Sequence, residues 1–172
     1  MPQVVDHPFP RVTSRLLLGA LAGIVGTAAM TAAMNRMYQR LPKDERYPLP
    51  PREITQTLLG GTSEDSMQDR STAAHFSFGA AAGALMGTVS PSARPVAGAI
   101  AGLCIWTASY FGWVPALGVL NSAEKHPIRR NALMIGAHLV WGSVTTATMR
   151  DLLAARHTML GDGPLRDRNR QA

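Results

Sequence analysis

The chain has 172 residues, with 17 lysines and arginines against 11 acidic side chains and a single cysteine. The formal charge of +6 is not gathered into basic runs interleaved with aromatics, which argues against nucleic acid, and one cysteine rules out an intrachain disulfide and a cysteine-based metal site. Mean hydropathy is only +0.02 because four uncharged apolar blocks alternate with polar connections, and uncharged runs this long are unusual in a soluble helical bundle.

Residues 1–14 contain Pro2, Pro8 and Pro10 and read as an irregular tail. A first helix is expected over 15–38. Its uncharged run, Leu16 to Asn35, is twenty residues, longer than the apolar stretch of a cleavable signal peptide, and three further blocks follow, so it reads as a retained span. Gly19, Gly23 and Gly26, followed by Met30, are spaced by four, three and four and share one helical face.

The connection from Asn35 to Arg70 is polar but locally neutral. Its centre, Tyr47 to Glu53, is extended up to Pro50, because each proline disfavours helix in the residue before it. Pro51 starts a short helix that runs through Leu59 and stops at Gly60 and Gly61; Ile54, Leu58 and Leu59 would give it one apolar side, either in the membrane interface or on a surface loop.

The stretch Ser71 to Val89 carries no charge over nineteen positions, close to the ~20 residues that cross a hydrocarbon core of about 30 Å. It lies in a second helix expected over 63–90, opened by Ser63 with Glu64 and Asp65 in the first turn. Gly79, Gly83 and Gly87 recur every four residues with His75 one step earlier, a stripe with no bulk and one polar group. Small residues at this spacing let helices approach closely in lipid, and the glycines of the first helix are the natural partner. A tight connection at Ser90 to Arg94 then sends a third helix, 95–118, back beside the second. It carries Gly98 and Gly102, Cys104 as a packing residue, Trp106, Tyr110 and Trp113 suited to an interface, and Pro115 as a kink or stop.

A second polar connection precedes a fourth helix over 127–156 with Gly136, His138, Trp141 and Gly142, and residues 157–172 read as a disordered basic tail. The basic residues flanking the blocks are too evenly divided to orient the termini. The fold class is therefore all-α: a four-helix transmembrane bundle packed through small-residue faces of the GxxxG kind, in one membrane domain spanning 15–156.

His75 and His138 are the ionisable side chains well inside the blocks, at similar depth in the half facing the longer connections. The default expectation is two neutral imidazoles hydrogen-bonded within the bundle; the sharper one is a pair that gains charge as pH falls. Two histidines without a carboxylate or thiolate are an incomplete metal set, and His7, His126 and His157 read as surface residues. No hydrolase elbow, phosphate loop or catalytic carboxylate pair is present, so neither an enzyme nor a cofactor is expected.

Five segments in order, Gly19-xxx-Gly23, Pro48-Leu49-Pro50-Pro51-Arg52, His75 before a small-residue helix, Ala97-Gly98-xx-Ala101, and Gly136 to Trp141 followed by Arg150-Asp151-Leu152, resemble the YagU-like family of small bacterial inner-membrane proteins. The resemblance spans about residues 16 to 156. It implies a non-enzymatic multi-pass inner-membrane protein loosely associated with acid tolerance, and it singles out the same two histidines. An accessory subunit of a larger membrane complex, a homo-oligomer, and a small proton-coupled transporter are the alternative expectations. The lipid bilayer is the expected partner in each case.

Overall fold

The computed structural model describes residues 8–60, 63–119, 121 and 123–159, with the side chains of 8–11 and 157 left aside. Within them the chain is all-helical: α1 (Pro8–Tyr38), α2 (Pro50–Leu59), α3 (Glu64–Val89), α4 (Pro95–Ala108), a π-helical segment (Ser109–Trp113), α5 (Val114–Ala116) and α6 (Ile128–His157), with single 3-10 turns at Lys43–Glu45 and Ala123–Lys125. Three helical stretches among the described residues are long and apolar enough to cross a membrane: Val12–Tyr38, Pro95–Ala116 and Ile128–Arg156. The uncharged run 71–89 lies in α3, which is not one of the three; its serines, threonines, glycines and His75 dilute its hydropathy. Large apolar side chains point outward from α1, α3 and α4, among them Leu17, Leu21, Leu85, Val96 and Ile100, as lipid-facing positions do.

The starts and stops follow local chemistry. Ser63 caps α3 by accepting from the Ser66 amide, prolines occupy the first turns of α2 and α4, and Gly60 ends α2 at φ +73°, where a side chain would be strained. Two expectations fail here. The irregular tail is shorter than 14 residues, because α1 already starts at Pro8; a proline in a first turn lacks an N–H that would have no helical partner anyway. Residues 1–7, and 160–172 of the expected disordered tail, lie outside the described residues. The third helix is not continuous over 95–118 either. Regular α-helix ends at Ala108, the ladder widens through Ser109–Trp113 with Gly112 at φ −113°, ψ −108°, and Pro115 sits in the first turn of α5 rather than at the break itself.

The long helices pack in the order α3, α1, α6, α4, each neighbour antiparallel. Glycine explains how near they come. A Cβ at Gly83 would strike the backbone of Gly19 and Gly23, one at Gly79 the Thr27 side chain, and one at Gly87 the Arg15 carbonyl. Between α4 and α6, Gly98 and Gly142 meet backbone to backbone, and Gly102 lies on the His138 carbonyl. Gly26 departs from its expected partner: it faces α6, against Thr145 and the Trp141 carbonyl, although it shares a face with Gly19 and Gly23. Gly136 meets only the flexible end of Met37.

α3 and α4 are consecutive and antiparallel, yet they do not pack along their lengths, contrary to the expectation that a tight turn sets them side by side. α1 and α6 stand between them at the centre of the row, and the space left on the open side is the cavity described below. Trp106 and Tyr110 are buried in the core around Met30, Met34, Met134 and Trp141 rather than placed at an interface, and Cys104 is exposed rather than packed.

α2 is tied to α3 by a two-pronged ion pair, the Arg52 guanidinium donating to both oxygens of Glu64, the second at 2.7 Å. Arg52 and then Gln68 hold the Glu64 carboxyl down to about 2 from an ordinary 4.5. A depressed carboxyl favours the folded arrangement above the ordinary value and loses that contribution as pH falls through about 2. Hydrogen-exchange protection at the α2–α3 junction is therefore expected to persist from neutral pH to below 4, and Glu64→Gln to weaken it across that range. Equal protection in the variant would count against the tether.

Candidate functional site

Two sites stack at the end of the helix row that carries the longer connections. The deeper one is a cavity of about 260 Å³ with contributions from all four long helices, α2 and the π segment. α1 supplies Thr27, Met30 and Met34; α6 supplies Met134, His138 and Trp141; α3 supplies Ala74, His75, Phe78 and Gly79. The break after Ala108 brings Ser109, Tyr110 and Trp113 to the opposite wall, and Pro50, Pro51, Ile54 and Thr55 of α2 roof it. Its lining is overwhelmingly apolar. The exposed lining residues Ala74, Phe78 and Trp113 lie on α3 and the broken helix facing it, so the mouth is between those two; the Phe78 and Trp113 rings stand 6.4 Å apart across it.

His75 and His138, the two histidines singled out in the sequence, both line this cavity. His75 is eleven residues from the start of α3 and His138 ten from the start of α6, about 16 and 15 Å in at 1.5 Å per residue. The Nδ1 of His138 lies 2.8 Å from the Met134 carbonyl, to which it donates, and in the neutral ring this leaves Nε2 as a bare acceptor. The Nε2 of His75 is buried with no hydrogen-bond partner. Tyr110 is the other ionisable side chain lining the cavity among the described residues. Trp141 anchors the back wall, donating from Nε1 to the Thr27 hydroxyl at 3.2 Å, while that hydroxyl donates to the Gly23 carbonyl one turn earlier at 2.8 Å.

The shallower site is polar and centres on Arg130, only 1% exposed, near the start of α6. Its Nη1 donates to the Tyr47 carbonyl at 3.0 Å and its Nη2 to the Pro48 carbonyl, and its guanidinium lies 3.6 Å from the centre of the Tyr47 ring. The Tyr47 hydroxyl pairs with His126 Nδ1 at 3.1 Å, and His126 Nε2 with the Asn121 carbonyl at 3.2 Å. Glu53 approaches Arg130 to 4.0 Å. Burial pushes the Glu53 carboxyl up, opposed by the positive charge of Arg130 and then by His126. Proline makes this clamp possible: the Tyr47 and Pro48 carbonyls precede α2 and join no helix ladder, so they remain available to a side chain from α6, whereas the Leu49 carbonyl already accepts the first amides of α2.

Of the family-like residues, Pro50, Pro51 and Trp141 line the deep cavity, Arg52 makes the α2–α3 tether, and Arg150 and Asp151 are exposed on α6 away from both sites. His126 is not a plain surface residue, because Tyr47, Asn121 and the edge of Tyr110 enclose it. Arg130, Tyr47, Glu53 and Tyr110 did not stand out in the sequence as site residues. An arginine one helical turn past a helix-starting proline looks like any interface anchor, and its targets are backbone carbonyls some 80 positions away, which no local pattern marks. Among the described residues no group of three or more histidine, cysteine, aspartate or glutamate side chains is placed to hold a metal ion. No known family, curated protein or solved structure matches the chain.

Proposed function

We propose that this chain is a non-enzymatic, multi-pass protein of a bacterial inner membrane, YagU-like in kind. Its α1, α3, α4 and α6 form a four-helix transmembrane bundle packed through small-residue faces, and its His75–His138 pair responds to protons and contributes to envelope or acid-stress tolerance. One observation carries the reading. The two imidazoles reach a single cavity from separate helices at matched depth, and one of them has a buried nitrogen with no partner. A proton gained at either ring places charge inside that cavity, and a charge there needs water or a counter-ion. The open side between α3 and the broken helix, closed by ring contacts rather than by packed backbone, is what can widen to accommodate that charge. The element that responds is thus the α3–α4 separation.

The test is the ¹⁵N signals of both imidazoles in the full-length protein in bilayers, followed from pH 7.5 to 4.5. Titration of at least one ring is expected, with shifts in α3 and in Ser109–Trp113 that follow it. Low-pH survival of cells carrying His75→Gln with His138→Gln should fall relative to the parent. Two rings that stay neutral throughout, together with unchanged survival, would sink the proposal.

The broken helix favours a second reading, a small proton-coupled transporter. Discontinuous helices beside an intramembrane site are a recurrent feature of transporters, and the Ser109–Trp113 break lies against this cavity. Proton-driven uptake into proteoliposomes separates the two readings.

A further inference from the structure

We propose that the deep cavity binds the ring of a membrane-soluble quinone or its quinol, entering from the bilayer between Phe78 and Trp113. The mouth fixes the source. Phe78 is 49% and Trp113 40% exposed, the π segment carries exposed Phe111, and α3 and α4 carry exposed Leu85 and Ile100 further along, so what reaches the opening laterally comes out of hydrocarbon. Shape narrows the class. Phe78, Tyr110, Trp113 and Trp141 supply flat walls, and a cavity of about 260 Å³ has room for one substituted ring.

The two imidazoles then select oxygen on that ring. With Nδ1–H of His138 donated to Met134, Nε2 offers a lone pair that a quinol hydroxyl can donate to. His75 Nε2, buried and unpartnered, can donate its proton to a quinone carbonyl, and the tautomer that does so costs no existing hydrogen bond at that atom. A plain hydrocarbon tail would leave both nitrogens unpaired in an apolar space. The inference concerns the same cavity as the proton-responsive reading and rests on its placement in the membrane, but binding is measured at one fixed pH and stands or falls apart from any titration.

The experiment uses the full chain in nanodiscs at pH 7.5 with decylubiquinone as probe and decylbenzene, a ring without oxygen, as competitor. Saturable quenching of tryptophan fluorescence is expected, unaffected by decylbenzene. His75→Phe and His138→Phe should each weaken binding about tenfold, and Ala74→Phe, which places bulk at the mouth, should remove saturation. In the unsubstituted protein, the ¹⁵N signals of both Nε2 atoms should move when decylubiquinone is added, a readout independent of how well any variant folds. Quenching that rises linearly without saturating, displacement by decylbenzene, or imidazole signals that do not move would each overturn the proposal.

Discussion

Gly142→Ala is expected to destabilise the helix assembly by about 2 to 3 kcal/mol, and Gly142→Val to prevent it, although both replace a glycine inside a helix. The added Cβ at 142 would meet the Gly98 carbonyl, its carbon at 2.6 Å and the Gly102 nitrogen at 3.1 Å. These are backbone atoms, so no rotamer relieves the contact and the two helices must move apart along their whole crossing. Gly98, which rests in return on Gly142 and Thr146, loses its seat in the same movement. The opposing effect is helix propensity, worth about 1 kcal/mol in favour of alanine in water. In a bilayer that gain disappears, because separated helices keep their backbone bonds and remain helical. Gly136→Ala on the same helix is the matched control, since its Cβ would meet only the Met37 thioether at 3.4 Å. Unfolding in bilayers should therefore distinguish the two alanines by at least tenfold in equilibrium constant, and equal stability would refute backbone contact as the basis of the α4–α6 pair.

The contrast between those two glycines marks how far the sequence could be read. A four-residue interval marks Gly19, Gly23, Gly79, Gly83, Gly87, Gly98 and Gly102, all of which lie against a neighbouring backbone, because spacing is a property of the chain alone; Gly142, which does the same, has no glycine at that interval. Spacing does not say which helix each meets: Gly26 shares a face with Gly19 and Gly23 yet lies against α6, and Gly136 packs against nothing rigid. The helix boundaries were legible for similar reasons. Ser63, Pro95, Pro127 and Gly60 act within one turn of where they stand. The break at Ser109–Trp113 was not, since Pro115 drew attention to itself while the irregular residue is Gly112, three positions earlier.

The site was legible in half. His75 and His138 stood out because ionisable side chains inside uncharged runs are rare, and matched depth follows from counting residues. That they share one cavity depends on α1 and α6 lying between α3 and α4, an order that connection lengths alone would not give. The polar site above was hidden altogether, since its central interaction joins a side chain to main-chain carbonyls.

That hidden interaction carries the second large effect. Arg130→Met is expected to release residues 47–59 from the end of the bundle while leaving α1, α3, α4 and α6 assembled. The guanidinium supplies two charge-assisted hydrogen bonds, each worth about 1.5 to 3 kcal/mol where nothing replaces it, and a cation held over the Tyr47 ring. These contributions are not additive, and about 3 kcal/mol is the expected net loss. The loss is local because the segment touches the rest of the protein through this clamp, the hydrogen bonds of Tyr47 with His126 and Tyr38, the cavity roof and the Arg52–Glu64 pair, whereas the long helices are held by contacts elsewhere. Hydrogen exchange over 47–59 should then quicken about a hundredfold, with α1 and α6 unchanged. Arg130→Lys should fall between, because one ammonium keeps the charge but cannot span two carbonyls in a fixed fork. Glu53 provides an independent reading of the same event. Its carboxyl is already pushed up by burial, and Arg130 is the larger of the two charges holding it back. If the segment stayed in place after Arg130→Met, Glu53 would titrate at a still higher pH than in the parent; if it is released to water as expected, Glu53 returns toward an ordinary carboxyl. Side-chain NMR of Glu53 therefore separates a clamp from a mere neighbour, and a rise in its titration point with unchanged exchange over 47–59 would show that Arg130 does not hold the segment.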